Sequence, residues 1–165
     1  MHPEQLFNFL DKQGESAVYL QRELVALPAL GPDNGGQGEH YKAEFLSTYL
    51  TQLGLQNIRE FPAEDPRVES GRRPNIMAVL PGKDPDRTLW VISHLDVVPP
   101  GDLSHWDTDP FTLHQDGDLL YGRGTEDNHH GIVSSILAVK AFLKNNAVPQ
   151  KNLGLLFVAD AETGN

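Results

Sequence analysis

The chain has 165 residues, 39% of them hydrophobic and 22% charged, enough for one domain with a real core and unlike a disordered polymer. The formal net charge of −10 argues against nucleic acid and anionic membranes as partners, since both are bound through clustered Lys and Arg. There is no cysteine, so disulfides and thiolate metal sites are excluded and any metal must be held by His, Asp and Glu.

The opening residues, Met1-His2-Pro3-Glu4-Gln5, lack the basic start and apolar run of a signal peptide. No apolar stretch approaches the roughly 20 residues needed to span a bilayer, and a cytoplasmic protein is the expectation. Residues 3–28 read as one long amphipathic helix, with Leu6, Phe9, Leu10, Ala17, Leu20, Leu24 and Leu27 recurring near the helical period. Gly14 is its one weak point and Pro28 its stop. Residues 28–38 are loop. A second helix is expected from Glu39 to Leu53, capped by Gly54, followed by a short edge strand from Leu55 to Phe61.

Residues 62–73, charged and carrying two prolines, read as a solvated loop that includes the pair Arg72-Arg73. Asn75 to Leu80 is the next strand. A polar turn at Lys83–Arg87 leads into Leu89-Trp90-Val91-Ile92, four large apolar residues that read as a buried strand. Two strands joined by a short polar turn predict a hairpin, so part of the sheet is antiparallel. Residues 97–126 form an extended loop anchored by Trp106, Phe111 and Tyr121, with a turn and a short strand at 116–122. A further helix starts at Asp127 or Asn128, either a good N-cap, and runs to Asn145. A last strand spans Leu153 to Val158. The helix between strands 88–93 and 153–158 makes a crossover that predicts a parallel pair. The expected fold class is α/β, with a mixed, mainly parallel sheet flanked by helices.

Three polar clusters stand at element ends: His94-x-Asp96, Glu126-Asp127 and Asp160-Ala161-Glu162. Ligands of open α/β sheets bind beyond the carboxyl ends of the strands. The first and third clusters leave such ends, and the second opens the helix between them, so all three could converge on one crevice. His94 and Asp96 point to the same side of an extended chain, able to touch one ligand or each other. One His and several carboxylates without thiols suit zinc, manganese or cobalt. The competing reading is that strand-end carboxylates are helix caps or solvated loop residues. No Gly-rich phosphate loop and no basic patch supports a phosphate-binding protein.

The segment Ser93-His94-Leu95-Asp96-Val97-Val98-Pro99-Pro100-Gly101 resembles the first signature of the M20 family of metallopeptidases and deacylases. Trp106-x-x-Asp109-Pro110-Phe111 with the run Asp116 to Asp127 resembles the second, and Phe157 to Gly164 the third. The resemblance runs from about Asn75 to the end of the chain. It implies a zinc-exopeptidase-like catalytic domain that hydrolyses the amide of an N-acyl amino acid or small peptide with two zinc ions, cobalt or manganese being alternatives. His94 would ligate one metal, Asp96 would hydrogen-bond His94, Asp127 would bridge the metals and Glu162 would ligate the other.

Two departures from the family pattern matter. Where the family has a Glu-Glu pair, whose first member is the general base, this chain has Ala161-Glu162. Family members are also much longer, with a further acidic ligand, a final His and a lid and dimerisation domain. His129 and His130 replace the Lys-Gly type of residues common after the second signature; they are candidate stray ligands, although a first-turn His is more often exposed or capping. Residues 1–165 are therefore expected to be the N-terminal portion of a single, incomplete metallohydrolase catalytic domain lacking the lid, and inactive or nearly so. The alternative is a non-catalytic scaffold or binding remnant of the same fold. A truncated sheet would expose apolar surface and an unpaired strand edge, so self-association is expected.

Overall fold

The computed structural model describes residues 3–163; Met1 and His2, and Gly164 of the third signature, lie outside them. In chain order the elements are α1 (Pro3–Leu10), α2 (Gly14–Val25), α3 (His40–Leu53), β1 (Asn57–Glu64), β2 (Arg72–Leu80), β3 (Asp84–His94), β4 (His114–Asp116), β5 (Leu119–Tyr121), α4 (His130–Lys144) and β6 (Lys151–Val158). The first helix is two helices. The backbone turns at Asp11–Gln13 and α2 restarts at Gly14, a residue that weakens a helix interior by about 1 kcal/mol relative to Ala. α3 ends as expected on Gly54, whose φ of +108° is left-handed and whose N–H bonds the carbonyls of Leu50 and Thr51.

The four-stranded sheet has the order β1-β2-β6-β3. The expected hairpin between β2 and β3 does not form, because β6 lies between them. β2 pairs antiparallel with β1 on one side and with β6 on the other, while β3 pairs parallel with β6. The sheet is thus mixed and packed by helices, with the parallel β3–α4–β6 crossover in place, but antiparallel pairs outnumber parallel ones and it is not mainly parallel. The turn after β2 explains the difference. Lys83 and Asp84 donate their N–H groups to the carbonyls of Pro149 and Gln150, and a side chain at Gly82 would stand 2.2 Å from the Lys151 carbonyl carbon. That turn is fastened to the entry of β6, which pushes β3 one strand away.

One face of the sheet, through Ile76, Ala78, Leu80, Leu153, Leu155 and Phe157, meets Leu20 and Leu24 of α2, Ala43, Leu46 and Leu50 of α3, and Ile132, Ile136 and Val139 of α4 in a single core, with Leu10 of α1 packed at its margin. The alternate side chains point the other way. Met77, Val79, Leu156 and Val158 there are half-buried. On β3, Leu89, Trp90 and Ile92 are 61%, 43% and 62% exposed, so the strand read as buried is a half-open edge. The loop read over 62–73 is shorter too: β1 extends to Glu64, β2 begins at Arg72, and Arg73 is buried rather than solvated. A small hairpin of β4 and β5 organises part of the 97–126 loop. Among the described residues no helix is long and apolar enough to cross a membrane.

Candidate metal centre

His94 is the last residue of β3, where the strand leaves the sheet beside the end of β6. Its imidazole has polar neighbours on both nitrogens. Nδ1 lies 3.0 Å from the Asp96 carbonyl oxygen and 3.5 Å from Asp96 Oδ1. Nε2 lies 3.0 Å from Asp127 Oδ1 and 3.7 Å from Glu162 Oε1. A neutral imidazole has one N–H and one lone pair. Either tautomer therefore turns a lone pair toward an oxygen 3.0 Å away. A cation held between Nε2 and the carboxylates relieves both contacts.

His94, Asp127 and Glu162 each offer one ligand atom, and these atoms all lie within 4.8 Å of one another. With metal–ligand bonds of about 2 Å, donors on one ion stand up to about 4 Å apart. The exposed Asp127 side chain has room to close the remainder by rotation. The three polar clusters at the element ends thus meet, and the donor set of one imidazole and two carboxylates fits a borderline divalent ion. Asp127 sits in the irregular turn Thr125–His129 that leads into α4.

Asp96 is placed differently from the expectation. It is 1% exposed, and its carboxylate accepts the backbone N–H groups of Ala161 at 3.1 Å and Glu162 at 2.8 Å. The His94 ring reaches the Asp96 carbonyl rather than its carboxylate within hydrogen-bond distance. Asp96 therefore fastens the end of β3 to the turn after β6 and so fixes where Glu162 stands. Ala161 lies in that turn and brings only a methyl group. Asp160, with a left-handed φ of +63°, pairs with Arg73 and accepts the Thr163 hydroxyl. Its carboxylate is engaged by these two partners and does not take the place of a base at 161.

Behind the donors lies a buried polar layer that sequence reasoning missed. Lys42 is 1% exposed; its Nζ donates to the Leu95 carbonyl at 3.0 Å and stands 2.8 Å from His129 Nε2. Burial pushes Lys42 down to about 7, against the raising pull of Asp96 and Glu39. Burial, with Lys42 and His94 nearby, holds His129 well below its ordinary value, so it accepts from Lys42 as a neutral ring. His129 is therefore buried rather than exposed; it stands at the N-cap position of α4 without a side-chain capping bond, and it is not a member of the donor trio. His130 is exposed and its Nδ1 meets the Glu126 carbonyl. Glu39 and Arg73, 0% and 4% exposed, form a buried ion pair. The available signal was periodicity: Glu39 and Lys42 fall on the stripe that continues through Leu46, Leu50 and Leu53.

The family model described as Peptidase family M20/M25/M40 matches residues 90–165. An uncharacterized metallohydrolase of Methanocaldococcus jannaschii is 42% identical over 159 residues, covering 91% of this chain and 37% of its own length. The succinyl-diaminopimelate desuccinylase of Variovorax paradoxus is 32% identical over 149 residues, covering 88% of this chain and 35% of its own. The chain belongs to the M20 peptidase family. Among solved M20 relatives, the di-peptidase Dug1p of Saccharomyces cerevisiae superposes with a TM-score of 0.82 at 26% identity, over 98% of this chain and 35% of that one. Human carnosine dipeptidase 1 gives 0.75 at 25% identity with the same coverage. The mixed sheet and its helices are thus those of M20 hydrolases, and the chain spans little more than a third of the length of these relatives.

Proposed function

We propose that this chain carries one side of the metal centre of an M20 amidohydrolase, as the N-terminal portion of a single catalytic domain. His94, Asp127 and Glu162 would hold divalent metal, and zinc is the ion that best suits one imidazole and carboxylates without thiols. In a two-metal centre Asp127 would serve both ions, and cobalt and manganese would fit the same donors. One observation carries the reading: three element ends, far apart in sequence, bring one ligand atom each from His94, Asp127 and Glu162 within 4.8 Å of one another, with Nε2 of His94 turned toward both carboxylates. When bound, such a metal polarises an amide carbonyl and acidifies water.

The chain's own residues do the rest. Asp96 holds the Glu162 turn against the end of β3, and the Asp96 carbonyl accepts the Nδ1 proton of His94, leaving Nε2 as the donor to metal. The substrate class is an N-acyl amino acid or a small peptide, supported by relatives described as a desuccinylase and as dipeptidases. No side chain at Ala161 can accept a proton, and Asp160 is committed to Arg73. Loss of a general base costs about 10² to 10⁴ in rate, so this chain is a binder of metal rather than a working hydrolase. Ala161 also favours the second reading, a non-catalytic scaffold of the same fold. The edge of β3, unpaired among the described residues, supports self-association.

Isothermal titration with zinc and with cobalt, alongside hydrolysis assays on N-succinyl amino acids and dipeptides, tests this. Binding of one or two ions, lost in His94→Ala, with no turnover above background, is the expected result. Absence of binding below about millimolar metal, a weak affinity of about −4 kcal/mol, leaves the scaffold reading. Turnover at ordinary enzyme rates overturns the inactivity.

A further inference from the structure

The first turn of α3 contains two charged side chains that a helix would ordinarily turn to solvent. Glu39, at its N-cap, is 0% exposed and Lys42 is 1% exposed. They stand three residues apart, on one face, and reach different segments. Lys42 Nζ donates to the carbonyl of Leu95, the residue between His94 and Asp96. The same ammonium group stands 2.8 Å from Nε2 of His129, two residues beyond Asp127. The His129 ring is held in turn by close packing: a side chain at Gly124 would lie 2.6 Å from its Cε1.

Glu39 works through a second ion. Its Oε2 accepts Arg73 Nε at 3.1 Å and its Oε1 accepts another guanidinium N–H of Arg73. Arg73 also pairs with Asp160, and the Asp160 N–H points at Glu39 Oε1 from 3.4 Å. Asp160 stands two residues before Glu162. Burying charges costs several kcal/mol per ion unless they are paired and bonded, and an apolar residue at position 42 would extend the Leu46–Leu50 stripe at no such cost. These charges connect three separate stretches of chain, and those are the three that bear His94, Asp127 and Glu162.

We propose that the first turn of α3 is the positioning device of the site. Lys42 ties together the strand end bearing His94 and the turn bearing Asp127, and Glu39, through Arg73, holds the turn bearing Glu162. Lys42 and Glu39 are positioning residues, acting on the ligands through Leu95, His129, Arg73 and Asp160. The spacing of the donors is thereby set from one buried helix turn. The inference rests on the metal reading for its purpose, but the clamp itself exists without metal.

The experiment compares the wild-type chain with Glu39→Gln and Lys42→Met, first metal-free by amide hydrogen exchange and then with cobalt(II) as the probe. The reporting amides are those of Leu95 and His129 for Lys42, and of Ala161 and Glu162 for Glu39, all hydrogen-bonded in the fold. Each variant is expected to raise exchange about tenfold or more at its own amides while the β1–β2 pair stays at wild-type rates, as local opening does. Cobalt affinity is expected to fall about tenfold to a hundredfold, the usual loss when a ligand's support is removed, with a changed visible absorption band. Unchanged exchange at the reporting amides, or an equal rise throughout the sheet, overturns the proposal. A wild-type chain that binds no cobalt removes the metal reading, and the exchange data still decide the clamp. If Lys42→Met fails to fold, the near-isosteric Glu39→Gln decides through Ala161 and Glu162.

Discussion

Asp96 serves two elements with one side group. Its two carboxylate oxygens each accept a backbone N–H, from Ala161 and Glu162, while its carbonyl takes the His94 ring. Asp96→Asn keeps the shape but offers a single acceptor oxygen and turns an NH₂ toward the second N–H. Hydrogen bonds to charged groups are worth about 1.5–3 kcal/mol, so this variant is expected to lose about that much stability, read as a lower urea midpoint with unchanged slope. An unaltered midpoint would show that the Ala161–Glu162 turn holds without it. The meeting of His94, Asp127 and Glu162 was legible in the sequence because strand ends and signature spacing mark them. Lys42, Glu39 and Arg73 were not, because charged residues near a helix start or in a Pro-rich loop ordinarily face water. Their partners lie far along the chain, Lys42 on Leu95 and His129 and Arg73 on Asp160, a pairing that only the folded sheet brings about.

Elements bear the same lesson in reverse. The β3–α4–β6 unit could be read in advance because a helix between two strands forces a crossover. The β2–β3 hairpin could not be ruled out, because nothing near Lys83 announces that residues 149–152 will occupy that turn. Likewise the apolar run Leu89–Ile92 reads as interior until the strand order puts it at an edge. Within the sheet, β6 and β3 fit through Gly154, which pairs with Trp90. A Cβ there would stand 2.3 Å from the Trp90 ring. Gly154→Ala is therefore expected to lift the indole off the strand, costing about 1–3 kcal/mol as overpacking does. Its emission should move to longer wavelength, measured in a Trp106→Phe background so that Trp90 reports alone. Unshifted emission with full stability would mean that the ring has another resting place.

At the scale of the molecule, α2, α3 and α4 share one core against one sheet face, with α1 at its margin. The other face, with Trp90 and Ile92 at its margin, is half-open, and among the described residues β3 ends the sheet without a partner strand. Unpaired, apolar edges associate, whereas a net charge of −10 keeps copies apart until salt screens it. Sedimentation is expected to show concentration-dependent self-association that strengthens with salt and weakens in Ile92→Lys. A monomer at every salt concentration would count against it. The strand order also has a consequence for how the chain is made. β1 and β2 can pair as soon as they emerge from the ribosome, but β3 waits for β6, since His94 finds its partner Val158 only 64 residues later (158 − 94). Until then Leu89, Trp90 and Ile92 stand without a sheet, and His94 and Asp96 have no turn to hold. Closing a contact of such sequence separation is slow. Synthesis therefore passes through a stage in which the Leu89–Ile92 run has no strand beside it, the stage at which a chaperone would find it.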